Sequence, residues 1–506
     1  MNEAPPGSRG TPQAEARARV LAEMARAPLD LLVIGGGIVG AGVARDAAMR
    51  GLRVGLVEQH DFAYGTSSRS SRLLHGGMRY LAQGRLGLVH EASTEKKILH
   101  HIAPHLAEPL PFIFPAYQGN REWVLWQLKI GVKLYDALCG GRNLGRSTWL
   151  SREDALGKVP ELRAEGLKGA VRYYDGFTND ARLTLDTLRS AAKQDALLLN
   201  YCRFVDAANR EPWYCEVREE LTGRSQTVLA RAVVNATGPW ADGLPHSRVK
   251  SRVTKGVHLV VERTRVPVPE AVVMTEDKRI LFAIPWGERT ILGTTDTDYR
   301  GALENVRAEP ADIRYLLEVT NRFFPRAVVT EADVISTWAG ARPLLAAPGG
   351  APSDISRAHE IRSAEPGWWD VTGGKLTIYR LMAEQTVDKV VRMLKSSSGP
   401  NEQGGPGASR TAMEPLLPPV ETEGVSGILP PAMNCAVVEH YVKQEWAVHL
   451  EDVMVRRTSW HHCFRDAARR AELVATWMAQ LLSWPADTQA AELERYARVT
   501  RAGTRN

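Results

Sequence analysis

The sequence predicts an α/β protein built from more than one domain, on three observations. A short apolar strand at 31–34 enters a glycine-rich turn, a helix of small residues and a second strand at 52–57, so 30–58 reads as β-α-β. Strand signals dominate 249–295, and a helical segment beyond 433 stands behind a stretch with no large apolar residue. At roughly 150 residues per domain, 506 residues make about three domains, enough to bury a core without disulfides or a structural metal. The 44% hydrophobic and 24% charged content excludes general disorder.

The elements follow in order. Residues 1–28 lack the apolar core of a secretory signal, and Glu3, Glu15 and Glu23 argue against a transit peptide. A flexible tail leading into one short helix is expected. A helical pattern at 183–195 leads to a strand at 197–205, and 213–234 reads as alternating strands joined at Thr222 and Gly223. Strands at 257–261, 271–274, 280–284 and 290–292 come next, with helical periodicity at 310–323 and 376–395. Residues 396–410, rich in Ser, Gly and Pro, read as a flexible linker, and helices are expected at 434–447 and 464–483. Five cysteines are an odd number with no close pairing, which points to a reducing compartment. A net charge of +6 suits anionic substrates or an anionic membrane surface and does not call for nucleic acid. No stretch approaches the ~18–20 uncharged apolar residues that span a bilayer.

The sharpest motif is Gly35-Gly36-Gly37-Ile38-Val39-Gly40 between strand and helix. Gly35 permits the tight turn, Gly37 lets the backbone approach a pyrophosphate, and Gly40 lets helix and strand pack closely. Glu58 ends the second strand 23 residues after Gly35, where a carboxylate accepts hydrogen bonds from ribose hydroxyls. The fingerprint alone does not separate NAD from FAD. An apolar strand ending at Thr237-Gly238 and a glycine pair, Gly373-Gly374, before a helix add two further sites. Three sites spread along the chain suit a long flavin cofactor in a discontinuous domain. Thr66, Ser67 and Ser68, with Ser70 and Ser71, supply hydroxyls and amides for pyrophosphate or ribityl oxygens, or else form a hydroxyl-rich turn.

With these residues the chain resembles the flavin-dependent glycerol-3-phosphate dehydrogenases of the D-amino-acid-oxidase-like superfamily. The likeness runs in order through about 29–395, with GTSSRSSRLLHGGMRYL at 65–81 and GGKLTIYRLMAE at 373–384 its most specific blocks. NATGPW at 235–240, KGVHLVV at 255–261 and AGARPL at 339–344 belong to the same series. HLEDVMVRRTSW at 449–460 resembles the family's C-terminal helical domain. The resemblance implies a discontinuous Rossmann-like FAD-binding domain (29–110, 165–248, 335–395), a β-rich substrate domain (111–164, 249–334), a linker (396–417) and a C-terminal helical domain (418–506). It implies non-covalent FAD, oxidation of sn-glycerol 3-phosphate to dihydroxyacetone phosphate, and electrons passed to quinone by a cytoplasmic enzyme peripheral to the membrane. A homodimer is left open. A soluble oxidase using oxygen and a non-catalytic FAD-binding sensor are the alternatives, the second opposed by the retained cations.

The resemblance places Arg79, Tyr80, Arg342, Arg357 and Lys375 in the substrate pocket, and arginine's planar fork suits a phosphate dianion. Arg342, between Gly340 and Pro343 in an expected turn, is placed near the substrate C2 oxygen, with Arg79, Arg357 and Lys375 toward the phosphate. Lys375 is also counted among the catalytic residues. His258 is the candidate base, because imidazole titrates near neutral pH; a histidine packed in a sheet is the equal alternative. His75, Gly76 and Gly77 are expected to pass the flavin ring. The pair His461-His462 with Cys463 does not make a metal site, since consecutive helical residues point apart. Finally, 121–142 carries Trp123, Trp126, Leu128, Ile130, Leu134 and Leu138 beside Arg121, Lys129, Lys133 and Arg142. That is the composition of an interfacial membrane helix, although Gln127 and Asp136 interrupt the apolar face and a core-packed helix fits as well.

Overall fold

Leu29–Ile34 is buried and apolar but for half-buried Asp30, as befits a central strand of a parallel sheet. The computed structural model describes residues 12–77, 85–119, 123–139, 143–276, 279–345, 359–397 and 406–501. Across the first sheet, Leu197–Leu199, Val54–Val57, Leu29–Ile34, Ser225–Asn235 and Trp368–Gly373 run parallel, with His359–Glu365 antiparallel at the edge. Cys202–Ala208 and Trp213–Glu219 extend antiparallel from Ser225–Asn235. Helices Ile38–Met49, Asp180–Ala192 and Tyr379–Ser397 pack together, and Val43, Leu188 and Val387 share one buried cluster with Leu31, Leu56 and Val234. The sheet is therefore assembled from distant parts of the chain, as the three glycine sites predict.

The second sheet runs Thr297–Asp298, Ser251–Glu262, Arg289–Gly293, Arg279–Trp286, Ala271–Glu276, Glu108–Tyr117, Leu167–Phe177 and Leu73–Leu74. Val334–Leu345 pairs with Ser251–Glu262, and Thr148–Leu150 with Leu167–Phe177. Helix Pro310–Phe323 buries Leu316, Leu317 and Phe323 in one of its cores, and helix Leu125–Leu138 buries Leu128, Val132 and Tyr135 in another. Two expected boundaries move as a result. Residues 167–177 and 334–345 belong with the second sheet, because their ladder partners are Glu108–Tyr117 and Ser251–Glu262.

The short helix expected after the N-terminal tail and the C-terminal end of the expected linker are both packed. Helix Pro12–Arg26 buries Leu21 and Met24 against the first sheet, and buried Arg17 pairs with Glu219 at 2.8 Å. Within the expected linker, Thr411, Leu416 and Leu417 are buried, and Arg45 of helix Ile38–Met49 donates to the Glu414 carbonyl at 2.8 Å. Short-range composition does not register such distant partners. The C-terminal helices Cys435–Gln444, Ala467–Leu482 and Ala486–Arg501 enclose a core of their own around Tyr441, Trp460, Met478 and Tyr496. Among the described residues no helix is long and apolar enough to cross a membrane.

Candidate active site

A cavity of about 810 Å³ opens between the two sheets, a size suited to a small-molecule ligand. Its first wall is the glycine turn. Gly35 has φ +108°, and a Cβ there would stand 2.7 Å from the Ala236 carbonyl oxygen. A Cβ on Gly40 would stand 1.9 Å from the Gly35 carbonyl oxygen, so the glycine is what lets the helix approach its strand. Gly37 differs: its Cβ would meet only Ser67 Oγ at 3.1 Å, leaving the space before it to the cavity. Helix Ile38–Met49 starts there without a side-chain cap, and the Ile38 amide donates to Ser67 Oγ at 2.9 Å. A helix N-terminus facing a cavity attracts an anionic group.

Glu58 accepts from the Gly36 and His60 amides, both at 2.8 Å. Burial pushes its carboxyl up from the ordinary range, against the pull of those two amides. Each of its oxygens has a lone pair left for a ribose hydroxyl. Thr66 Oγ1 donates to the Ala341 carbonyl at 2.5 Å and Thr237 Oγ1 to Asn235 Oδ1 at 2.7 Å, fixing both threonines on the wall. Gly238, Gly373 and Gly374 line the cavity with φ of +58°, +73° and +74°.

The second wall is cationic. Arg342 lines it, but from the strand Val334–Leu345, paired opposite Thr254, and not from the expected turn. Its guanidinium donates to Thr294 Oγ1 at 2.9 Å, the Thr295 carbonyl at 3.1 Å and Asp296 Oδ1 at 3.2 Å. It passes over Gly256, where a Cβ would stand 2.2 Å from Nη2. Lys375, at the start of the turn Leu376–Ile378, also lines the cavity. So do Arg69, inside the quoted 65–81 block, and Arg279, both of which sequence reasoning missed.

Of the expected site residues, Gly35, Gly37, Glu58, Thr66, Ser67, His75, Gly77, Thr237, Gly238, Arg342, Gly373, Gly374 and Lys375 come together on the cavity wall. Gly40, Ser68, Gly76 and His258 are not on it. Arg79, Tyr80 and Arg357 lie outside the described residues. Gly76 is held behind the wall, its amide donating to Tyr135 Oη at 3.0 Å and Asp175 Oδ1 at 3.2 Å, while fully buried Lys96 pairs with Asp175 at 2.8 Å. Nothing in the local sequence announces this Lys96–Tyr135–Asp175 anchor, because its members come from three separate elements. His258 is only 1% exposed, stacks on Trp338 at 5.2 Å and sets Nε2 2.8 Å from Oγ of Ser71, which does line the cavity. Burial, with the Arg342 and Arg72 charges, holds this imidazole well below its usual pKa and therefore neutral.

Residues 30–387 match the family model DAO, described as FAD dependent oxidoreductase. The aerobic glycerol-3-phosphate dehydrogenase of Staphylococcus aureus is 41% identical over 384 residues, covering 73% of this chain and 68% of that protein. The crystal structure of the glycerol-3-phosphate dehydrogenase from Bacillus halodurans complexed with FAD superposes with a TM-score of 0.75 at 30% identity, covering 96% of this chain and 97% of that one. The L-alpha-glycerophosphate oxidase of Mycoplasma pneumoniae shares the fold, with a TM-score of 0.61 at 18% identity over 78% of this chain and 99% of that one. The open space before Gly37, the helix N-terminus at Ile38 and the lone pairs of Glu58 fit the pyrophosphate and ribose of such a dinucleotide.

Proposed function

The chain belongs to the DAO family of FAD-dependent oxidoreductases, and on that premise we propose that it oxidises sn-glycerol 3-phosphate to dihydroxyacetone phosphate and passes the electrons to a membrane quinone. The observation that carries the reading is the cavity itself, with a dinucleotide cradle on one wall and Arg342, Lys375, Arg69 and Arg279 on the others. When bound, FAD accepts the hydride from substrate C2. Lys375 and Arg69 meet the phosphate dianion, helped by the sequence-assigned Arg79 and Arg357. Arg342, fixed by three acceptors, orients the C2 oxygen and stabilises the negative charge that grows there. His258 acts at one remove: Ser71 accepts the C2 hydroxyl proton as it gives its own to Nε2 of the neutral imidazole.

A quinone is reached from the bilayer, and helix Leu125–Leu138 supports that choice over oxygen. Its inner face buries Leu128, Val132 and Tyr135, while Trp126 is 60%, Ile130 59% and Leu134 41% exposed, one turn apart on the outer face. Lys133 is exposed beside them, and Lys129 lies 4.4 Å over the ring of Trp149, itself 62% exposed. Tryptophan with lysine at a surface suits the headgroup region of the cytoplasmic leaflet. The helix is thus core-packed and outward-apolar at once, the two readings the sequence left open.

The test is anaerobic: glycerol 3-phosphate should bleach the flavin absorption, and a short-chain quinone should restore it. No bleaching by glycerol 3-phosphate would overturn the substrate. Reoxidation faster with oxygen than with quinone would replace the dehydrogenase by an oxidase.

A further inference from the structure

The cofactor wall does not stand alone; the C-terminal helices hold it from behind. Between Val54–Val57 and the turn Thr66–Ser68 the chain lines the cavity with Glu58, Gln59, His60 and Tyr64. In the middle of this loop Asp61 is fully buried and off the cavity wall. It accepts from Arg456 Nε at 2.5 Å, from Arg457 Nη2 at 2.9 Å and from Arg457 Nη1, with Asn200 Nδ2 at 3.0 Å. Arg456 is balanced by Asp452 at 2.5 Å, and Arg457 also donates to the Glu445 carbonyl at 2.6 Å. Both arginines leave the widened π-turn Asp452–Arg457, a rare geometry that lets neighbouring side chains converge on one carboxylate. Two residues on, Ser459 Oγ accepts from Arg72 Nη2 at 3.0 Å, next to cavity-lining Ser70 and Ser71.

We propose that Asp61, Arg456 and Arg457 are positioning residues for FAD, through which the C-terminal helices hold the Glu58 loop in its cofactor-retaining shape. The loop needs holding. Ala63 has φ +62°, a left-handed conformation that a residue with a Cβ adopts at a cost unless its surroundings impose it. Buried ions give directional restraint, because a displaced partner leaves its charge uncompensated in a medium that cannot solvate it. A second buried cluster, Arg182, Arg189, Asp186 and Glu445, joins the same helices to the first domain at a place where none of its members lines the cavity. It is the internal control, since adhesion between the domains depends on both clusters and the Glu58 loop on only one.

The experiment follows FAD loss from diluted holoprotein by the rise of flavin fluorescence, well below the melting temperature of each variant. Asp61→Asn should release FAD at least about tenfold faster than wild type, about 1.4 kcal/mol. Asp186→Asn, in the second cluster and bonded neither to Asp61 nor to its arginines, should lower Tm and release FAD at the wild-type rate. Equal release by the two variants, or wild-type release by Asp61→Asn, would overturn the proposal. Arg456→Lys and Arg189→Lys, milder changes at the two clusters, decide by the same criterion if either first variant fails to fold.

Discussion

Arg182 and Arg72 are both buried arginines, 1% and 2% exposed, and their surroundings treat them in opposite ways. Arg182 sits at the junction with the C-terminal helices. Its Nε donates to Ser426 Oγ at 3.2 Å, Nη1 to Glu445 at 2.6 Å, and Nη2 to Asp186 and Glu445, both at 2.9 Å. Arg72 sits behind the cavity between two indoles, 4.3 Å from the Trp286 ring and 5.3 Å from that of Trp338. Its Nη1, like Nδ1 of its neighbour His258, has no hydrogen-bond partner among the described residues. Burial raises the basicity of neither by itself: for Arg182 two carboxylates outweigh it and push the pKa up, while for Arg72 it prevails and pulls the pKa down. The saturated network at Arg182 fixes how two parts of the chain dock, while Arg72, off the cavity wall, keeps one guanidinium nitrogen between its two indoles unpaired among the described residues.

Breaking the saturated side has the largest expected effect. Arg182→Met removes the cation between two buried carboxylates and should cost about 3–5 kcal/mol in urea unfolding. Arg72→Met removes a cation whose burial is poorly compensated, and should leave stability within about 1 kcal/mol of wild type. Similar losses in both would erase the contrast. Acid sharpens it further. Glu445 and Asp452 are held below their ordinary values of 4.5 and 3.8 by the arginines around them. Their contribution is fully present above those values and drains away as pH falls toward the depressed folded ones. His258, depressed from 6.5, makes the unfolded chain bind the extra proton, so stability should also fall as pH drops below 6.5. Glu445→Gln should flatten the lower limb and His258→Asn the upper one in a Tm-against-pH series.

Next in size is a pair of glycines three residues apart in sequence and opposite in role. Gly40→Ala drives a Cβ into backbone at 1.9 Å, so it should cost about 1–3 kcal/mol or fail to fold. Gly37→Val meets one hydroxyl at 3.1 Å and should fold, yet emerge from purification colourless because its side chain fills the pyrophosphate space. Yellow Gly37→Val protein would remove that wall from the cofactor. On the cationic wall, Arg342→Lys keeps the charge and loses the fork held by Thr294 and Asp296. Its kcat/KM should fall about 100-fold with Tm unchanged, and an unaltered kcat/KM would take Arg342 out of the chemistry.

How much of this was legible in the sequence depends on how far apart the partners lie. The glycine turn with Glu58 is local, and the parallel pairing of Leu29–Ile34 with Val54–Val57 follows from it, whereas the pairing with Ser225–Asn235 does not. Arg342 was found by its motif, but its strand was taken for a turn, because Gly340 and Pro343 look like breakers and only the ladder to Ser251–Glu262 absorbs them. His258, read either as the candidate base or as a histidine packed in a sheet, is buried in the sheet, with cavity-lining Ser71 at its Nε2. Arg17 and Lys96 are unreadable, since each meets its carboxylate across a fold that composition does not encode; Arg182 and Arg456 each have a partner four residues away, Asp186 and Asp452, which leaves the distant ones, Glu445 and Asp61, out of view.

The smallest effect on the fold should come from the surface that supports the quinone. Trp126, Ile130 and Leu134 follow one another at four-residue spacing on the solvent face of Leu125–Leu138, and none belongs to a buried cluster. Replacing all three by serine therefore removes no core contact and should change stability by only about 0.5 kcal/mol per site. Trp123, at the head of the same helix, lines the cavity and packs on Phe114 at 5.2 Å, so the outward stripe and the cavity wall belong to one continuous piece of structure. Wild-type protein should float with anionic liposomes at low salt and less at high salt, as charges more than a Debye length of ~8–10 Å apart are screened. The triple variant should stay in the dense fraction while keeping its anaerobic bleaching by substrate. If it floats like wild type, the stripe is not the lipid contact, and the argument for quinone over oxygen loses its structural support.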